Sequence, residues 1–174
     1  RITICRGGDH PAGVYAVQEL VIDPTNYQVL YASTWSGLYQ STDGAQNWTW
    51  IFPRSQIEDE VPPVSFVAVD PEDGQILYAG IGDADANSDG VGAVYRSSDG
   101  GTSWALLNVG MNGEAVVHGI TIDPTSPRGN RRIFVSSTDG VFRSQDNGIT
   151  WTRISRGLPH TNARRIAYST AGGV

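Results

Sequence analysis

Three times along this 174-residue chain an apolar run closes on Asp-Pro, and further on a Gly- and Asp-rich turn closes on Trp. The runs are LVIDP ending at Pro24, VAVDP ending at Pro71 and ITIDP ending at Pro124, so the aspartates Asp23, Asp70 and Asp123 lie 47 and 53 residues apart. Between run and turn come two more apolar segments: VLYAS from Val29, ILYAG from Ile76 and RIFVSS from Arg132, then GLYQS from Gly37, AVYRS from Ala93 and GVFRS from Gly140. After the tryptophans Trp48, Trp104 and Trp151 a short segment such as WTWIF or WTRIS closes each unit. Every segment alternates residue by residue and is bounded by Gly, Pro, Asp or Asn, the pattern of short antiparallel strands. In the segment from Val29, the alternation puts Val29, Tyr31 and Ser33 on one side and Leu30 and Ala32 on the other.

A unit of four strands repeating every ~50 residues is the grammar of a propeller blade. A β-sandwich is the rival all-β fold, but it gives no reason for the grammar to recur. The expected fold is therefore all-β: a β-propeller fragment of three four-stranded antiparallel blades over 14–60, 61–113 and 114–160. The composition agrees, with 21 Gly, 5 Trp and 7 Tyr against a single Met. ICRGGDH at Ile4–His10 aligns with ISRGLPH at Ile154–His160, an offset of 150 residues or three repeats. Residues 1–10 thus read as the end of a preceding blade and 161–174 as the start of a following one, cutting the chain mid-blade at both ends. Because propellers have 4–8 blades, three leave open faces and edges. The rest of the ring is expected from missing sequence or from a protein subunit, another chain or a second copy.

The turns before the tryptophans run Ser41 to Trp48 with Asp43, Ser97 to Trp104 with Asp99 and Gly101, and Ser144 to Trp151 with Asp146, Gly148 and Thr150. They resemble the Asp box, or bacterial neuraminidase repeat, S-x-D-x-G-x-T-W. The third copy matches fully, the second has Ser103 for Thr, and the first has Ala45 for Gly and Asn47 for Thr. An Asp here accepts hydrogen bonds from nearby backbone N–H groups, the Gly takes a positive φ, and the Trp supplies an apolar plate. The resemblance implies a structural role for these aspartates, away from any catalytic centre. It extends to sialidases, xyloglucan-active glycoside hydrolases, sortilin-type receptor domains and photosystem assembly factors. The string from Gly80 to Asn87, followed by AVYRSSDGG, is most similar to the sortilin-type and xyloglucanase-like groups.

Antiparallel meanders send successive turns to opposite ends. The Asp-Pro turns and the Asp boxes are expected at one end, the hairpins between second and third strands and the blade-to-blade connections at the other. At that hairpin end the repeats differ. Tyr31 to Tyr39 and Phe134 to Phe142 each span 8 residues, whereas Tyr78 to Tyr95 spans 17. The extra residues hold Asp83, Asp85, Asn87 and Asp89, oxygen ligands at every second position as a Ca2+ site would have them. The EF-hand pattern fails, with Ser88 in place of Gly and Val94 in place of Glu, and a solvated polar loop is the favoured reading. Trp35, Asp139 and the run Glu58, Asp59, Glu60 share this end as a possible binding face. Trp35 offers a plate for a sugar ring or for a neighbouring loop, and Glu58–Glu60 reads as a solvated charge run.

A formal net charge of -6 argues against a nucleic-acid partner, because phosphate binding needs a basic face. No apolar run approaches the ~20 residues of a transmembrane helix. The chain opens at Arg1 without a signal peptide, as a processed or excised segment would, and its lone Cys5 cannot form an internal disulfide. His10, His118 and His160 lack metal or nucleophile spacing, and the Asn47-Trp48-Thr49 sequon falls inside an Asp box. The sialidase Arg-Ile-Pro motif is approximated only by Arg153-Ile154-Ser155, and the Asp-Val-Gly-Gly segment of xyloglucan-active enzymes does not occur. No catalytic residue is assigned. The first expectation is a non-catalytic module binding protein or glycan outside the cytoplasm, extracellular or periplasmic. Its alternative is part of a secreted glycoside hydrolase, which needs two carboxylates ~5 to 10 Å apart across a groove.

Overall fold

The computed structural model describes residues 17–53, 63–82, 92–107, 115–159, 162–163 and 166. The first of the two aligned end segments, with Cys5 and His10, lies outside the described residues, as do His160, Glu58, Asp59, Glu60, Asp83, Asp85, Asn87 and Asp89. Three four-stranded antiparallel sheets follow one another in the chain. The first contains β1 (Val17–Ile22), β2 (Leu30–Thr34), β3 (Gly37–Ser41) and β4 (Thr49–Phe52). The second contains β5 (Val64–Asp70), β6 (Asp73–Ile81), β7 (Ala93–Ser97) and β8 (Ala105–Leu106). The third contains β9 (Val117–Ile122), β10 (Ile133–Ser137), β11 (Gly140–Ser144) and β12 (Thr152–Arg153). In each, strand order follows chain order, and among the described residues the only helix is a 3-10 turn at Arg128–Asn130.

The registers superimpose. Ile22 faces Leu30, Val69 faces Leu77 and Ile122 faces Ile133; Leu30, Leu77 and Ile133 in turn face Ser41, Ser97 and Ser144. The sheets stack face to face, and the core lies between them. Tyr31, Leu38 and Ile51 of the first meet Val64, Val67, Leu77 and Ile81 of the second. Tyr78 and Val94 of the second meet Val117, Ile120, Ile133 and Phe142 of the third. The alternation expected for the segment from Val29 does not become one wet and one dry side: β2 is buried along its whole length.

The turns divide between two ends as the meander requires. Gly44 N donates to Gln28 O at 2.9 Å, Gly100 N to Gln75 O at 3.0 Å and Asn147 N to Arg131 O at 3.3 Å. Each bond ties the Ser-x-Asp corner to the Asp-Pro turn of its own blade. The two-residue hairpins at Trp35-Ser36 and Thr138-Asp139 lie at the opposite end, where Thr34 and Ser137 hydroxyls donate to the carbonyls of Gly37 and Gly140.

Candidate functional site

The three Ser-x-Asp corners have one geometry. In each, the serine hydroxyl donates to the aspartate Oδ1, at 2.8, 2.8 and 2.7 Å for Ser41–Asp43, Ser97–Asp99 and Ser144–Asp146. The same hydroxyl accepts the backbone N–H of Ala45, Gly101 or Gly148 at 2.8–2.9 Å. Four residues past the aspartate, Asn47, Ser103 and Thr150 donate their backbone N–H to Oδ1 and their side chains to Oδ2. Two successive residues are left-handed in every corner: Gly44 and Ala45, Gly100 and Gly101, Asn147 and Gly148. Ala45 holds φ at 72° although it is not glycine.

Hydrogen bonds to the charged form lower a carboxyl's pKa. Asn47's side chain, then its backbone N–H, Ser41 and Gln46 hold Asp43 down at about 2. Asp99 is likewise held at about 2 by the Ser103 side chain, the Ser103 N–H, Ser97 and Thr102. Burial, the largest single influence on Asp146, pushes upward, yet Thr150, Ser144 and Ile149 together outweigh it and leave that carboxyl low. Such groups stay ionised and saturated with donors, so they have no proton to give as general acids.

The corners also join blades. Ile51 points at Gly101, where a Cβ would come within 2.7 Å of its Cδ1, and Leu107 meets Gly148 in the same way at 2.8 Å. Trp104 packs on Phe52 of the preceding blade with ring centroids 4.6 Å apart, and Trp151 Nε1 donates to Leu107 O at 2.7 Å. Trp48, in the first blade, has a buried Nε1 without a partner among the described residues. The same contrast runs down the innermost strands. Val17, Leu20 and Ile22 are exposed, whereas their register equivalents in β5 and β9 are buried: Leu20 is 53% exposed, Val67 1% and Ile120 2%. No described strand covers the rear of the first blade.

Two inter-blade elements were invisible in the one-dimensional pattern. Arg131, just before β10, is buried with its Nε 2.8 Å from Asp70 Oδ2 and its Nη2 2.9 Å from Asp70 Oδ1 and 2.8 Å from Glu72 Oε2. It clamps the third blade to the second. The second element is the Ile51–Gly101 and Leu107–Gly148 seating, for which the glycine in the motif was the only sign.

At the hairpin end Trp35 is partly exposed. Asp139 is paired with Arg153 of its own blade at 3.4 Å, and its N–H donates to Ser137 Oγ. The structure does not bring Trp35 and Asp139 together: they stand on the first and third blades. Among the described residues no group of three or more His, Cys, Asp or Glu is placed to hold a metal ion.

Face-to-face stacking of repeating four-stranded meanders defines three consecutive blades of a β-propeller. Solved propellers superimpose on it: an ancestral GH74 enzyme with a TM-score of 0.65, 23% identity and coverage of 79% of this chain and 18% of that one. YCF48 bound to D1 peptide gives a TM-score of 0.54, 15% identity and coverage of 79% and 39%. These likenesses concern the fold. In sequence, a xyloglucanase of Hypocrea jecorina (strain QM6a) is 28% identical over 151 residues, 80% of this chain and 18% of that protein. The chain thus spans under a fifth of this curated relative. No family model matches it.

Proposed function

We propose that these blades are an arc of a larger propeller of the xyloglucanase type that acts on a β-glucan outside the cytoplasm, a polymer being too large to enter the cell. The observation that carries the reading is the similarity to xyloglucanases along most of the chain; the exposed apolar side of β1 is a surface that another blade of a larger propeller would cover. The Ser-x-Asp corners, of the Asp-box type, staple the blades at one end, which leaves the hairpin end for the glucan. Trp35 there offers a ring face for sugar stacking. The test is reducing-end release from xyloglucan by the protein, with retention in xyloglucan-containing gels measured alongside. Hydrolysis with retention weakened by Trp35→Ala supports the reading, and neither activity nor retention ends it.

A second reading, glycan binding without hydrolysis by this segment, is favoured by the Asp139–Arg153 pair, because Asp139, the carboxylate expected at the hairpin end, is already engaged by a guanidinium of its own blade. Retention without reducing-end release would select it.

A further inference from the structure

The junction of the first and second blades holds a cleft of about 400 Å³, lined by Asp23, Tyr31, Gln40, Asp73, Gly74 and Gln75 among others. At the next junction the corresponding space is filled by one side chain, Arg131, forked onto Asp70. The registers make the two sites equivalent. Asp23 follows Ile22 as Asp70 follows Val69, and Gln75 stands two residues before Leu77 as Arg131 stands two before Ile133. Gln75 does not reach back across the junction. Its Oε1 lies against Gly100 of its own blade.

Asp23 is nevertheless as enclosed as a paired acid, only 5% exposed. Its Oδ1 accepts the N–H and the hydroxyl of Thr25, both at 2.7 Å, while among the described residues nothing donates to Oδ2. Gly74 keeps that oxygen in the cleft, because a Cβ at this position would overlap it. The other acids of the rim are already answered. Glu72 accepts Arg131 at 2.8 Å, and Asp73 accepts Arg128 at 2.9 Å. That oxygen opens onto the cleft, so its donor has to come from whatever occupies the cleft.

We propose that this cleft binds a guanidinium group from outside the chain, seated on Asp23 as Arg131 is seated on Asp70. A planar fork suits a carboxylate with one lateral oxygen free, and the amide oxygen of the neighbouring Gln40, whose Nε2 donates to the Tyr31 hydroxyl, is an acceptor for a remaining N–H group. A divalent cation would need a carboxylate cluster that the described residues do not form. The guanidinium could be that of a free small molecule or of an arginine in a polypeptide.

The test is isothermal titration of the full chain with L-argininamide, with an acetyl-Gly-Arg-Gly-amide peptide, and with the lysine counterpart of each. Expected are saturable binding of both arginine probes, on the order of tenfold tighter than the lysine probes for one charge-assisted hydrogen bond gained, and loss of binding in Asp23→Asn. Gln75→Arg supplies the missing fork in cis and is expected to abolish binding while raising the thermal midpoint, which guards against a variant that merely fails to fold. Tighter binding of the peptide assigns the cleft to an arginine of a polypeptide, and equal binding to a small guanidinium ligand. No saturable binding, lysine binding as tightly as arginine, or binding that survives both substitutions would overturn the proposal.

Discussion

Ala45 holds a left-handed conformation that its two counterparts, Gly101 and Gly148, adopt without a Cβ. The left-handed region costs an L-residue roughly 1–2 kcal/mol, part of which glycine returns as unfolded-state entropy. Ala45→Gly is therefore expected to stabilise by about 0.5–1 kcal/mol, a rise of about 2–4 °C per kcal/mol in thermal midpoint at this size. The reverse exchange at Gly101 meets both strain at φ 91° and Ile51 Cδ1. Gly101→Ala should cost about 2–4 kcal/mol by urea denaturation. The corner aspartates add a pH dependence. Asp43 and Asp99 have carboxyls near 2 when folded against 3.8 for an unperturbed side chain. A depressed folded value gives stability that is complete above the unfolded pKa and is lost as pH falls through the folded one. Denaturation midpoints should thus decline between about pH 4 and 2. In Asp99→Asn the slope in that window should flatten.

Between elements, the decisive contact is Arg131 on Asp70. Both are buried, and the pair closes a junction 61 residues wide in sequence. Removing one partner strands a buried charge, at about 3–5 kcal/mol. Arg131→Met and Asp70→Asn should each show a loss of this size in urea, and the double variant should lose much less than their sum, which a double-mutant cycle measures. Such a clamp could not be read from residue order. Arg131 sits in the ordinary-looking string GNRRIF, and its partner belongs to another repeat. What was legible was whatever the repeat encodes locally: the third strands coincide with the GLYQS, AVYRS and GVFRS segments to the residue. Turn chemistry acts within a few residues, so three copies of Ser-x-Asp suffice to predict the corner. The seating of Ile51 and Leu107 on the glycine of the next corner depends on how whole sheets stack. Likewise, nothing local separates Trp35 from an ordinary hairpin residue, and Asp139, expected beside it at the hairpin end, is engaged by Arg153.

At the scale of the whole molecule, chemically equivalent positions meet unequal surroundings. Leu20 and Ile22 lie in solvent, while Val67 and Val69, one blade on, lie in the core. Sequence cannot explain the difference, since all four are apolar strand residues; only the presence or absence of a neighbouring blade does. The corner tryptophans differ too: Trp151 Nε1 donates to Leu107 O of the blade before it, Trp104 Nε1 to Gly101 O of its own corner, and Trp48 Nε1 has no acceptor among the described residues. A carboxylate introduced at a position that is already wet should be tolerated, and one introduced into the inter-blade core should not. For this chain Leu20→Glu is expected to shift the thermal midpoint little, and Val67→Glu to lower stability by several kcal/mol. The exposed apolar face should also drive concentration-dependent self-association, seen as a rise in sedimentation-average mass, which Leu20→Glu with Ile22→Glu reduces. Within a propeller that supplies the preceding blade, Leu20 becomes the equivalent of Val67 in environment as well as register. Its substitution should then cost as much, so comparing Leu20→Glu in the chain and in a longer propeller measures directly whether another blade stands behind the first.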